Sequence, residues 1–176
     1  MTETEHSGFA RYPLANVALG LLAAGPKHGY GLYRDFEEYF GSIWKAGQTK
    51  FYVALSSLLD EGYLDAELEP QENRPARKVY RLTDKGREEF LKWLHEPVYS
   101  MRAMRVEFIA KLRFFDLLGE PGAKELIDQE IALFGEMLDE WEAEKPEDPF
   151  YNLVNGYRIR QARAIVEWLE AVKQNL

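Results

Sequence analysis

The chain has 176 residues, 46% of them hydrophobic and 30% charged, with a net charge of −8; that apolar content suits one ordinary domain or two small ones and is well above what a disordered chain carries. No cysteine is present, which excludes a disulfide framework, a thiolate metal site and a cysteine nucleophile. Met1 to His6 is polar and acidic, and the longest apolar run, roughly Val17 to Ala24, is broken by Gly20, so neither a secretory leader nor a membrane span is expected and a cytoplasmic location is.

Pro13 followed by the apolar segment Leu14 to Ala24 predicts a first helix, stopped by Gly25-Pro26. His28-Gly29-Tyr30-Gly31 opens a second, with Tyr30, Tyr33, Phe36 or Glu37, and Phe40 at helical spacing and Arg34, Asp35, Glu37 and Glu38 on the wet face. Gly47 to Glu61 predicts a third helix with Phe51, Leu55, Leu58 and Leu59 as its apolar stripe and Gly62 at its exit. Tyr63 to Glu69 alternates in polarity, and so does Lys78 to Leu82, which reads as a hairpin around a polar tip, Pro70 to Pro75. Thr83 is placed to cap a fourth helix through its hydroxyl, with Phe90, Leu91, Trp93 and Leu94 apolar and Pro97 ending the pattern.

The remainder reads as helical. Val106, Ile109, Leu112 or Arg113, and Leu117 define one helical stripe, ended by Gly119 to Gly122. Ile127, Ile131, Phe134, Leu138 and Trp141 form a second stripe; after the Lys145 to Pro149 break, Ala162, Ile165, Leu169, Val172 and Leu176 form a third. Both step by three and four alternately, a spacing that fits a coiled-coil seam or an ordinary antiparallel bundle. The order of elements predicts a mainly α protein. Residues 1–95 form a winged helix-turn-helix domain with a two-stranded β wing, and residues 96–176 form a C-terminal α-helical dimerisation domain.

The negative net charge at first argues against nucleic acid, but local potential decides whether a phosphate backbone can approach. Gly41 to Leu58 contains Lys45 and Lys50 and no acid, and Asn73 to Arg87 carries Arg74, Arg77, Lys78, Arg81, Lys85 and Arg87 against Asp84 alone. The start of a recognition helix faces base edges in helix-turn-helix docking. Gln48, Thr49, Lys50 and Tyr52 are therefore the candidate DNA face, with Arg74, Arg77 and Lys78 as wing contacts to the backbone. A plain solvated face is the competing reading of each segment alone; the basic hairpin directly after the candidate helix shifts the balance.

His6, His28 and His95 have no ligand spacing, so no metal site is expected, and His28 reads as a cap of the second helix. Gly29 and Gly31 follow no strand signal and precede no Gly-Lys-Ser/Thr, which argues against a phosphate loop. No nucleophile motif, metal cluster or cofactor motif suggests an enzyme. Trp44, Trp93, Trp141 and Trp168 read first as core. The sharper alternative puts Trp93 in a hydrophobic effector pocket.

Four stretches between Val17 and Trp93 resemble the PadR family of bacterial transcriptional regulators: Leu19-Gly-Leu-Leu-Ala-Ala-Gly-Pro-Lys-His-Gly-Tyr30, Phe51-Tyr-Val-Ala-Leu-Ser-Ser-Leu58, Glu61-Gly-Tyr-Leu64 and Arg74-Pro-Ala-Arg-Lys-Val-Tyr-Arg-Leu-Thr-Asp-Lys-Gly86. More loosely, Lys111-Leu-Arg-Phe-Phe115 and Ala164-Ile-Val-Glu-Trp-Leu169 resemble the longer-armed branch. The resemblance implies a homodimeric repressor of a palindromic double-stranded operator, in many relatives released by a small aromatic or hydrophobic effector. By position, Tyr52 matches the family's recognition-helix tyrosine, and Arg77 and Lys78 its basic residues before the second wing strand. Val53 and Phe51 depart from the usual proline and leucine or isoleucine, which bears on sequence preference. The alternative function is a winged-helix protein-interaction module that has lost DNA binding and uses its acidic arm.

Overall fold

The computed structural model describes residues 13–71 and 74–176, without the side chains of residues 71, 74 and 75. In chain order the elements are α1 (Pro13–Ala23), β1 (Lys27–His28), α2 (Gly29–Phe40), α3 (Gln48–Asp60), β2 (Leu64–Gln71), β3 (Arg74–Leu82), α4 (Asp84–His95), α5 (Met101–Ala103), a π-helical segment (Met104–Phe108), α6 (Ile109–Leu118), α7 (Ala123–Ala143) and α8 (Pro149–Gln174). They form two compact units. One is Met1–Leu94 with Ile109–Gly119; the other is His95–Phe108 with Glu120–Leu176. The sequence reading placed a single break after residue 95, whereas α6 packs with the first unit.

In the first unit α1 is the central helix. Ala15 to Leu22 are all buried, as expected of a helix apolar on every side. Gly20 permits that packing: a Cβ there would lie 2.5 Å from Phe114 Cζ and 2.6 Å from Phe90 Cε2. Phe114 also meets Phe40 at 5.0 Å and Phe90 at 5.2 Å between ring centroids, so α2, α4 and α6 share one aromatic core.

Local chemistry sets the ends of these helices. His28 Nδ1 accepts from the Gly31 N–H at 2.9 Å, the cap expected of it. Gly62 leaves α3 at φ +75°, in the left-handed region that favours glycine. Thr83 Oγ1 accepts from the Gly86 N–H at 3.0 Å and donates to the Tyr63 carbonyl at 2.9 Å, fastening α4 to the start of the wing.

The sheet differs from the expected two-stranded wing by one strand. Its order is β1-β3-β2, all antiparallel, with Lys27 opposite Tyr80 and His28 opposite Val79. The hairpin is also longer than read: pairing runs from Leu64–Leu82 to Gln71–Arg74 across an irregularity between Glu69 and Gln71. Pro70 sits in that irregularity, where a missing N–H is tolerated.

One apolar stripe holds only in its second half, at Phe36 and Phe40, and another is out of phase. In α2 the buried positions are Gly29, Leu32, Phe36 and Phe40, while Tyr30 is 60% exposed. The His28 cap makes Gly29 the first helical residue, and the inner face counts from there. Around α6 the buried residues are Met104, Phe108, Ala110, Lys111, Phe114 and Phe115, and Val106, Ile109, Leu112 and Leu117 are only half-buried. The π turn carries an extra residue and shifts the phase that a 3.6-residue period assumes.

In the second unit α7 and α8 form an antiparallel pair. Leu126, Ile127 and Phe134 of α7 and Ala162 and Leu169 of α8 are buried, and Lys173 pairs with Asp128 across the two helices. Asp148 caps α8 by accepting from the Phe150 N–H at 2.7 Å, with Pro149 in the first turn. Asn155 Nδ2 donates to the Trp141 carbonyl at 2.7 Å. The expected α8 seam is followed at Ala162 and Leu169, but Leu176 is exposed.

Candidate nucleic-acid interface

The α3 helix is oriented by aromatic packing against α2. Phe51 lies 5.5 Å from Phe36 and 5.7 Å from Tyr33, ring centre to ring centre, and the Trp44 ring in the connecting turn meets Phe36 at 5.4 Å. The Tyr33 hydroxyl shares its one proton between Glu37 Oε1 at 3.0 Å and the Ala46 carbonyl at 3.3 Å, at the other end of the same turn. With Phe51, Leu55 and Leu58 buried, the opposite face must point to water.

Gln48, Thr49 and Lys50 are accordingly exposed, and Lys50 has no ion-pair partner among the described residues. The first turn holds no acid, and the N-cap Gly47 offers no side-chain hydrogen bond. The leading N–H groups of α3 thus keep their partial positive charge for an outside acceptor.

Tyr52 behaves differently from the other three. It is half-buried and lies across the start of α2, where a Cβ on Gly29 would come within 2.7 Å of its Cε1. It lines an open cleft of about 430 Å³ together with Tyr30, His28, Lys78, Arg77 and Tyr80. The short β1–β3 pairing brings these residues together, because it ties the cap of α2 directly to the second wing strand.

Arg77 is paired across the hairpin with Glu69, its Nη2 3.3 Å from Oε2, and both side chains are nearly half-exposed. Arg81 pairs with Glu67 in the same way at 3.2 Å. The Lys78 ammonium lies 5.5 Å from the centre of the Tyr80 ring. Burial, and next the neighbouring Tyr52, push the Tyr80 phenol above its ordinary pKa. Arg74 opens β3, and its side chain lies outside the described part of the structure.

Trp93 is placed apart from this surface. It is buried in the first unit's core, 6.0 Å from Phe90 and 6.2 Å from Phe114 between ring centres, with the Lys111 ammonium 5.0 Å from its ring centre. The sequence reading did not select His28, Tyr30 or Tyr80 as interface residues. A usable signal existed for Tyr80, which shares a strand face with Lys78 by alternation. None existed for His28 and Tyr30, whose place depends on a two-residue strand. Among the described residues no group of three or more His, Asp or Glu side chains is arranged to hold a metal, and no helix is long and apolar enough to cross a membrane.

A helix-turn-helix followed by a β-hairpin that packs back on it, its basic residues gathered on the second strand, defines the winged helix-turn-helix class. Residues 18–92 match the transcriptional regulator PadR-like family, and residues 104–176 match the virulence activator alpha C-term family. The negative transcriptional regulator PadR of Bacillus subtilis is 32% identical over 120 residues, covering 67% of this chain and 65% of that protein. The probable transcriptional regulator Rv1176c of Mycobacterium tuberculosis is 32% identical over 92 residues, 52% of this chain and 49% of that protein. The matched chain thus spans just under two thirds of the first relative and about half of the second. A crystal structure of Bacillus subtilis PadR in complex with operator DNA is similar with a TM-score of 0.48 at 26% identity, covering 94% of this chain and 99% of that one. Residues 18–92 therefore belong to the PadR-like family of transcriptional regulators.

Proposed function

We propose that this protein is a homodimeric repressor that binds a palindromic operator, with the first turn of α3 in the major groove and the wing on the adjacent backbone. One observation carries the reading: an exposed, acid-free helix start with Gln48, Thr49 and Lys50 stands beside a wing bearing Arg77 and Lys78. Amide, hydroxyl and ammonium groups are what base edges and phosphates accept from. Repression is supported by the 32% identity to a negative regulator. A cytoplasmic location goes with that role.

A dimer is part of the proposal, because one recognition helix reads too few bases for a unique site and two-fold symmetry pairs half-sites about 34–36 Å apart. The helical arm after residue 95 is assigned to dimerisation. Phe150, Tyr151, Leu153 and Tyr157, all exposed along one stretch of α8, supply apolar area for a second copy. A small aromatic or hydrophobic effector that releases DNA completes the reading, and it rests on family membership alone.

The test is recovery of genomic fragments by the purified protein, followed by gel-shift titration of the tightest one. Lys50→Ala is expected to weaken binding by about 1–3 kcal/mol, as for loss of a base contact, and Tyr52→Ala is expected to weaken binding as well. If no fragment shifts, or if both substitutions leave affinity unchanged, this DNA face is wrong. A complete failure to bind DNA would favour the protein-interaction alternative.

A further inference from the structure

We propose that the cleft between the start of α2, the recognition helix and the wing seats one backbone phosphate of the operator duplex in each half-site, so that His28, Tyr52, Lys78 and Tyr80 clamp a single anion. The proposal rests on the DNA-binding reading above and adds to it a defined site and two residues, His28 and Tyr80, outside the DNA face read from the sequence.

The argument is one of donors without acceptors. No carboxylate lines the cleft. His28 Nδ1 is occupied by the Gly31 N–H, which assigns the ring proton of the neutral imidazole to Nε2 and leaves that N–H as a donor. The Tyr52 and Tyr80 hydroxyls have no hydrogen-bond partner among the described residues, and the Lys78 ammonium has a ring face but no carboxylate. A phenol hydroxyl is a hydrogen-bond donor, and burial raises the Tyr80 pKa above its ordinary value, which keeps that proton in place. A group of convergent donors beside a cation fits an anion rich in acceptor oxygens, which is the chemistry of a phosphodiester.

The position favours a phosphate of the bound duplex over a free one. Tyr52 belongs to the recognition helix, and Lys78 and Tyr80 belong to the wing, so an anion in the cleft touches both DNA-facing elements at once. Gly29 contributes by absence: with no Cβ, it lets the Tyr52 ring lie against the α2 backbone and hold its hydroxyl at the cleft.

The experiment scans the tightest genomic duplex with single methylphosphonates, which remove one charge at a time, against the wild type, Tyr80→Phe and Lys78→Gln. The wild type is expected to lose about tenfold in affinity at one phosphate per half-site, the scale of one charge-assisted hydrogen bond. At that same phosphate the two variants are expected to lose only about threefold or less, because the contact is already gone. Lys78→Gln also lowers the slope of log affinity against log salt by about 0.9 per half-site. Unchanged thermal melts check that both variants fold.

Failure of the wild type to bind any duplex sinks the regulator reading itself. Binding by the wild type with variant losses spread evenly over all phosphates, or with no variant loss, overturns the cleft assignment alone. So does a result in which both variants bind DNA normally but lose thermal stabilisation by inorganic phosphate, which would make the cleft a free-anion site.

Discussion

Glu69→Gln is expected to tighten operator binding, although it removes an ion pair and adds no contact. In the free protein Arg77 Nε and Nη2 lie 3.4 and 3.3 Å from Glu69 Oε2, at the long end of hydrogen bonding. The two side chains are 47% and 44% exposed, so the pair is worth only about 0.2–1 kcal/mol. Binding must give up part of that attraction when Arg77 turns to a phosphate. Glu69 also repels the phosphate; at about 8 Å in water two unit charges interact by roughly 0.5 kcal/mol. The two effects together come to about 0.5–1.5 kcal/mol per wing, or about 2- to 10-fold in affinity. Fluorescence anisotropy with a labelled operator over a series of salt concentrations reads this directly, and the gain should fade as salt rises. The control is Glu67→Gln, which frees Arg81, a residue that does not line the cleft; its gain should be smaller. If Glu69→Gln binds no better at low salt, or binds worse with folding intact, Arg77 does not meet the backbone and the wing assignment is wrong.

Two stability predictions follow from the same geometry. Thr83→Ala removes the α4 cap and the hydroxyl donor to the Tyr63 carbonyl, and is expected to cost about 1–2 kcal/mol, seen as a lower urea midpoint with an unchanged slope. Tyr63 and Tyr80 titrate above the ordinary tyrosine pKa in the folded state, Tyr63 through burial and then Glu89 and Glu61, Tyr80 through burial and then Tyr52. A folded pKa raised above the unfolded one stabilises the protein fully below the unfolded value, about 10, and that stabilisation is lost as pH rises through the folded values. Alkaline melts should therefore show stability falling above pH ~10, and a flat profile there, with phenolate absorbance appearing at the ordinary pKa, would contradict the burial of these rings.

What could be read in advance was local chemistry. Pro13, Gly62 and Thr83 mark helix ends by backbone rules that hold without tertiary structure, and the Phe51, Leu55, Leu58 stripe of α3 defines which side is wet. That is why exposure at Gln48, Thr49 and Lys50 was legible from the residues themselves. The unread features depend on partners distant in sequence. A two-residue strand at Lys27–His28 has no periodicity to detect, yet it builds the cleft. The Glu69–Arg77 pair needs the hairpin register, and the sequence placed the end of β2 before Pro70. The π segment Met104–Phe108 changes the helical period itself, so a stripe counted at 3.6 residues selects Val106 and Ile109 where Phe108 and Lys111 are buried. The arm was legible only as amphipathic helices. Its buried Asn155, bonded to the Trp141 carbonyl, could not be told from a surface residue.

Dimethyl sulfate footprinting of the bound operator tests the central claim most directly, because the reagent attacks guanine N7 in the major groove, where the start of α3 is assigned. The account predicts two clusters of protected guanines about 10–10.5 base pairs apart, weakened when Gln48 or Lys50 is changed to alanine. Full guanine reactivity under saturating protein, or a single protected cluster, would contradict a pair of recognition helices seated in adjacent major grooves.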